Sequence, residues 1–178
     1  MTTIGLQHRL ATRDDLAALT ALMNAAIAEL QKPFLNEAQI ASSRTFMGLD
    51  TQLVDDATYF VVSAGGALAG CGGWSRRATL YGGDRSPGRD AALLDPRKAA
   101  ARVRAMYTHP GFTRRGVGRL ILTLCEEAAR AEGFTRVELM ATMAGVPLYR
   151  ACGYLPVEDV MDDRGGVEVP LLRMRKTL

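Results

Sequence analysis

The chain has 178 residues, 48% hydrophobic and 23% charged, enough to bury a full core without staples and far from disordered or fibrous composition. A formal net charge of +3 is too small to argue for nucleic acid, and no apolar run approaches the roughly 20 residues needed to span a bilayer. Cys71, Cys125 and Cys152 show neither CxxC nor Cys/His ligand spacing and read as reduced, buried thiols. With no basic-then-apolar leader at residues 1–5, the expected location is the cytoplasm.

An extended start at His8–Ala11 leads to Thr12, which precedes Asp15 at capping-box spacing. Leu16, Leu19, Met23, Ala26, Ile27 and Leu30 then recur on one helical face until Lys32-Pro33 stops the helix. A second helix is predicted over Glu37–Leu49, with Asn36 as its cap and Ile40, Phe46 and Leu49 as candidate buried positions. The period then changes. Thr58–Ser63 and Ala67–Trp74 are β-rich and flank the turn signal Gly65-Gly66. Ser75–Ala100 is a long stretch rich in Gly, Pro, Arg and Asp, of the kind that is usually functional or mobile.

Arg102–Thr108 is the next predicted strand, ended by His109-Pro110-Gly111. Val117, Leu120, Ile121, Leu124, Ala128 and Ala131 mark an amphipathic helix that Gly133 terminates. Arg136–Met140 reads as a short strand, Val146–Cys152 as a short helix with Pro147 in its first turn, and Tyr154–Val160 and Val167–Met174 as a closing hairpin. One α/β domain with a mixed sheet, spanning 1–178, accounts for this order.

Arginines concentrate at 76–77, 102–104, 113–119 and 173–176 with few aromatics among them, which fits a phosphorylated small molecule better than a base-stacking surface. The densest group, Arg114-Arg115-Gly116-Val117-Gly118-Arg119, lies where a loop becomes a helix. Helix starts expose unpaired N–H groups, glycines admit close approach, and arginines fork onto phosphate oxygens, so a pyrophosphate is the expected guest. The chain has no GxxxxGK[ST], and Ile121 stands where a dinucleotide fingerprint wants its third glycine.

Residues Met106 to Ile121 resemble the acetyl-CoA-binding motif of the GNAT superfamily, whose core is Arg/Gln-x-x-Gly-x-Gly/Ala: Gly116 and Gly118 match, and Thr113 replaces the first position with Arg114 beside it. Leu148-Tyr149-Arg-Ala-Cys-Gly153-Tyr154 is similar to the family's Leu-Tyr-x-x-x-Gly-Phe signature. The resemblance implies a mixed, mostly antiparallel sheet flanked by helices (an α+β mixed-sheet fold). It also implies an acetyl-CoA-dependent N-acetyltransferase without a metal, acting on a primary amine of a small molecule; the lack of a supported nucleophilic cysteine makes direct transfer the expected route.

Its implied cofactor contacts are Met106, Tyr107 and Thr108 along the pantetheine arm, and Arg114, Arg115, Gly116, Val117, Gly118 and Arg119 at the pyrophosphate. Tyr149 is the implied general acid beside the sulfur, since phenol and thiol have comparable pKa values. Glu138 and Glu29 are conceivable bases, although a solvated carboxylate is the commoner fate of either. His109 is read as a loop residue, and neither Cys125 nor Cys152 has the neighbours a nucleophile needs. Acceptor selectivity is expected from residues 27–50 and 75–100. In the latter, Arg76 and Arg77 would favour a carboxylate or phosphate, and the segment is either a lid or a solvated loop. Longer-acyl transfer and a non-catalytic acyl-CoA-binding module are the alternatives on this scaffold. No nucleic-acid or membrane partner is expected, while Val167–Met174 offers an edge for a homodimer.

Overall fold

The computed structural model describes residues 5–178. Seven strands form one sheet in the order β1-β2-β3-β4-β5-β7-β6, from β1 (Leu6–Leu10), β2 (Tyr59–Ala64), β3 (Ala67–Ser75), β4 (Ala101–Thr108), β5 (Arg136–Thr142), β6 (Leu155–Asp162) and β7 (Val169–Thr177). All neighbours are antiparallel except β4 and β5, which run parallel and pair only at Ala101–Val137 and Arg102–Glu138. Beyond Arg102 the two strands separate. The sheet therefore opens at its middle, and the open side of β4 carries backbone that no strand covers.

Five helices cover the sheet: α1 (Leu16–Leu30), α2 (Glu37–Ser43), α3 (Thr51–Asp55), α4 (Val117–Ala131) and α5 (Val146–Ala151). On one face α1 buries Leu19, Leu22, Met23, Ala26 and Ile27 against Val61, Cys71 and Tyr107. On the other, α4 buries Val117, Ile121, Leu122, Cys125 and Ala129 against Val62, Ala69, Val103 and Leu139. The predicted caps form: the Asp15 carboxylate accepts from the Thr12 N–H at 2.8 Å, and Asn36 Oδ1 accepts from the Gln39 N–H at 2.9 Å.

The sequence reading erred in three places. The helix expected over Glu37–Leu49 ends at Ser43, because Ser42 and Ser43 turn their hydroxyls onto the carbonyls of Val167 and Ile40, at 2.7 Å each. A further short helix, α3, follows, its first N–H bonded by Asp84 Oδ1 at 3.0 Å from a segment far along the chain. The edge offered for pairing is not Val167–Met174: β7 lies inside the sheet between β5 and β6, and β6 is the open edge, with Leu155, Val157 and Met161 exposed. Hairpin connectivity alone does not say that the second strand folds inward.

Glu138 anchors the base of the opening. Its carboxylate, in a side chain only 3% exposed, is bonded by Arg102 at 2.9 Å, by Arg173 at 2.7 Å, and by Arg175. Three strands are thus tied at one point. Burial alone would push the carboxyl up, but the hydrogen bonds from Arg173 and Arg175 outweigh it and hold Glu138 below the ordinary glutamate value.

Glu138→Gln leaves three guanidiniums around a neutral amide, and urea denaturation at neutral pH should show a loss of about 3 kcal/mol. A depressed folded-state value means that this stability is present above the ordinary glutamate pKa and lost as pH falls through the folded value. The gap between wild type and variant should therefore shrink in acid; an unchanged gap would show that shape rather than charge carries it.

Candidate active site

Where β4 and β5 part, β4 carries a bulge: Cys71 faces Tyr107 and Gly73 faces Arg104, so Ala105 and Met106 share Gly72 as their opposite residue. Ala105 has φ 50°, in the left-handed region that costs a non-glycine residue about 1 kcal/mol or more. Tyr59 Oη holds the bulge by donating to the Ala105 carbonyl at 2.7 Å.

The loop after β4 turns sharply into α4. His109 caps a single turn at Pro110–Phe112, its Nδ1 accepting from the Gly111 N–H at 3.0 Å, so it is the loop residue the sequence suggested. Arg114 (φ 63°) and Gly116 (φ 83°) both adopt left-handed backbone, and Gly116 caps α4. The unpaired N–H groups of a 15-residue helix therefore point back towards the mouth of the opening.

Two glycines of β3 let that helix sit close. A Cβ at Gly72 would lie 2.7 Å from Ile121 Cγ2 and 2.7 Å from Met106 Cγ, and one at Gly70 would meet Val117. Gly118 makes room for Leu148 of α5, and a Cβ at Gly145 would stand 2.7 Å from the Tyr149 ring. These absent side chains bring α4, α5 and β4 around one groove.

The groove has a volume of about 700 Å³. Of the residues predicted for cofactor binding, Met106, Tyr107, Thr108, Arg114, Gly116, Val117, Gly118 and Arg119 all line it. Arg115 does not; its guanidinium lies 5.3 Å from the centre of the Phe112 ring. Among the described residues, Arg114, Arg115 and Arg119 make no ion pair, whereas most other arginines are matched to carboxylates. The opposite wall is formed by Leu30 at the end of α1 and by Gln31 and Phe34 just after it, within the 27–50 stretch from which acceptor selectivity is expected. Half-exposed Phe34, directly after Pro33, gave no periodic signal.

A smaller chamber of about 80 Å³ is lined among others by Phe46, Leu80, Tyr81, Arg104, Met140 and Leu171. Groove and chamber share Met47, Met106, Tyr107, Thr142 and Tyr149. The Tyr149 hydroxyl is 3.9 Å from Met106 Sδ, and burial raises its pKa well above the ordinary phenol value. Tyr107 is buried, its oxygen accepting from the Gly48 N–H at 2.8 Å.

Other candidates stand elsewhere. Glu138 is neither a solvated carboxylate nor a lining residue but the buried hub described above, and Glu29 is exposed and bonded to Lys32 at 2.9 Å. Arg76 and Arg77 pair with Glu132 at 2.5 Å and Asp56 at 2.7 Å, so they hold the 75–100 segment down rather than wait for an acceptor. That segment is pinned again where Tyr81 donates to Asp162 at 2.9 Å and Arg89 meets Asp50 at 2.9 Å. Burial pushes the Cys71 thiol up to about 12 and raises Cys125 further, which removes both as nucleophiles. Among the described residues no group of three or more His, Cys, Asp or Glu is placed to hold a metal ion. No described helix is long and apolar enough to cross a membrane.

The acetyltransferase (GNAT) family model matches residues 20–154, most of the chain. The chain belongs to the GNAT acetyltransferase family. It is accordingly an acetyl-CoA-dependent acetyltransferase, and its seven-stranded, mostly antiparallel sheet with flanking helices is the GNAT fold.

Solved structures agree on the fold. A GCN5-related N-acetyltransferase from Rhodopseudomonas palustris superposes with TM-score 0.69 at 18% identity, covering 100% of this chain and 98% of that one. The PaiA N-acetyltransferase of Thermoplasma acidophilum, solved with coenzyme A, gives 0.66 at 14% identity over 98% and 99% of the two chains. YncA, a putative acetyltransferase from Salmonella typhimurium solved with acetyl-CoA, gives 0.64 at 16% identity over 97% and 94%. No curated protein matches the sequence.

The packing of α4 on glycine is open to a direct check. Gly72→Ala should force Ile121 or Met106 aside and lower the urea-unfolding free energy by about 1–3 kcal/mol; an unchanged midpoint would mean that the interface has slack the geometry does not show.

Proposed function

We propose that this GNAT member transfers the acetyl group of acetyl-CoA to the primary amine of a small-molecule acceptor by direct attack in a ternary complex, the chain acting as one catalytic domain. The observation that carries this reading is the meeting of the large groove and the small chamber at Met106 and Tyr149, which lets two ligands touch at one point. Arg114, Arg119 and the start of α4 suit the pyrophosphate. The uncovered edge of β4 at Met106–Thr108 suits the amide-bearing pantetheine arm, laid down like an added strand.

In this reading the acceptor nitrogen attacks the thioester carbonyl carbon, and the oxygen takes up charge beside backbone N–H groups of β4. The C–N bond forms, the C–S bond breaks, the electron pair leaves with sulfur, and the proton the nitrogen sheds in becoming an amide ends on that sulfur. Tyr149 donates its O–H towards that sulfur. Because burial raises its pKa, the phenol holds its proton firmly and serves first as a hydrogen-bond donor, giving up the proton less readily than an exposed tyrosine. No carboxylate among the described residues lines groove or chamber, so the ammonium proton leaves to solvent before attack. Among the described residues no cysteine lines groove or chamber, and burial keeps Cys71 and Cys125 as thiols, so nothing supports an acyl-enzyme.

Calorimetric titration with acetyl-CoA tests the cofactor half. The exposed pair Arg114→Gln/Arg119→Gln should weaken binding about tenfold or more and flatten its salt dependence, without a change in melting temperature. Wild-type protein that ignores acetyl-CoA would overturn the proposal.

Tyr149→Phe tests the chemical half. Acetyl-CoA affinity should stay nearly constant while kcat falls by about 10²-fold or more; equal turnover would remove Tyr149 from the mechanism.

A further inference from the structure

The chamber next to Tyr149 is chemically one-sided. Its wall is apolar and aromatic from Phe46, Met47, Leu80, Met140 and Leu171, with three tyrosine phenols and a single charged side chain, that of Arg104. Among the described residues no Asp, Glu, His or Lys lines it. An amine acceptor that carried only its positive charge would find no partner there, and would meet a guanidinium instead.

Arg104 is held rigidly but not used up. Its side chain is 2% exposed, and Nη2 makes an ion-pair contact with Asp50 at 2.6 Å and a hydrogen bond to the Gly82 carbonyl. Its Nε is buried and has no hydrogen-bond partner among the described residues, and neither has Asp50 Oδ2 beside it. Asp50, fully buried, is shared with Arg89 at 2.9 Å, so one carboxylate answers two guanidiniums. The next carboxylate, Asp84, has Oδ1 committed to the N–H and hydroxyl of Thr51, and along β4 Arg102 belongs to the Glu138 hub. Among the described residues Arg104 is the one charged side chain lining the chamber, and a guanidinium whose counter-carboxylate is shared with a second arginine leaves room for another anion to complete it.

We infer that the acceptor is a small, apolar α-amino acid whose carboxylate docks on Arg104 and whose amine is thereby presented at the Met106–Tyr149 junction. This rests on the acyl-transfer reading above and adds the acceptor's chemical class to it. Recognition of the acid by a fixed guanidinium orients the amine through the one carbon between them, and the apolar wall takes the side chain. The chamber's small volume selects against long or branched polar acceptors, and the absence of a lining carboxylate selects against diamines and peptide-chain lysines.

The test compares matched acceptors: a set of apolar L-amino acids, each beside its amide and its decarboxylated amine, with thiol release followed at saturating acetyl-CoA. The acids should be preferred in kcat/KM by about 10-fold or more over both analogues, and Arg104→Gln should erase that preference. Transfer to amides and amines as fast as to acids would overturn the assignment of the acceptor while leaving acetyl transfer standing.

A binding arm works without turnover. The N-acetyl derivatives of the same amino acids are titrated into the complex of the protein with coenzyme A. Wild type should bind the acids about tenfold or more tightly than their amides, and Arg104→Gln should bind the two alike; equal affinity in wild type, or no binding of either, would sink the inference. Arg89 still holds Asp50 in the variant; if Arg104→Gln does not fold, Arg104→Lys, which keeps the charge but loses the planar fork, should reduce the preference for acids, and an unchanged preference would count against the inference. Failure to bind coenzyme A at all is read separately, in the first titration step, and counts against acyl transfer itself.

Discussion

The parting of β4 and β5 depends on a buried carboxylate. Glu138 gathers Arg102 of β4 and Arg173 and Arg175 of β7 at the last point where the parallel pair is in register. Below it the sheet is continuous; above it two strands diverge and leave main-chain groups and two cavities between them. A wedge of this kind would close or slip if its base were loose, because parallel pairing over two residues offers little by itself. The ionic hub supplies the missing rigidity, and bonds from three guanidiniums offset the cost of burying a single carboxylate.

Space at the top of the wedge comes from absent side chains. Gly70 and Gly72 let α4 lie against β3, Gly118 admits Leu148, and Gly145 admits the Tyr149 ring. The left-handed Ala105 bulge then turns Met106 towards both cavities. Each of these is a local departure from ideal backbone or packing, and together they are concentrated where the chain has to accommodate a ligand rather than itself.

Charge follows the same division. Most arginines away from the groove are tied to carboxylates and serve as struts; Arg76 and Arg77 are examples. Those at the start of α4 are left without partners, and Arg104 is only partly satisfied. An unpaired exposed arginine costs little in water, so it persists wherever an anion is to be bound; a partly satisfied buried one is costly and therefore points more sharply to a ligand.

The sequence by itself determined the local features: the helical face of α1, the capping pairs at Thr12 and Asn36, the strand–loop–helix with Gly116 and Gly118, the short helix ending before Gly153, and through these the family. Such signals are carried by near neighbours, by periodicity and by glycine conformation, and they survive without a tertiary context. It did not determine that Glu138 would be a hub, that β7 would be interior, that α2 would stop at Ser43, or that Arg104 would line a chamber. Each of those depends on a partner far along the chain: Arg173 and Arg175 for Glu138, Val167 for Ser42, Asp50 and Gly82 for Arg104. A lone glutamate or arginine in a strand pattern reads as a solvated residue until the fold brings its counter-charge to it, because ion pairing is set by distance in space and leaves no period in the sequence.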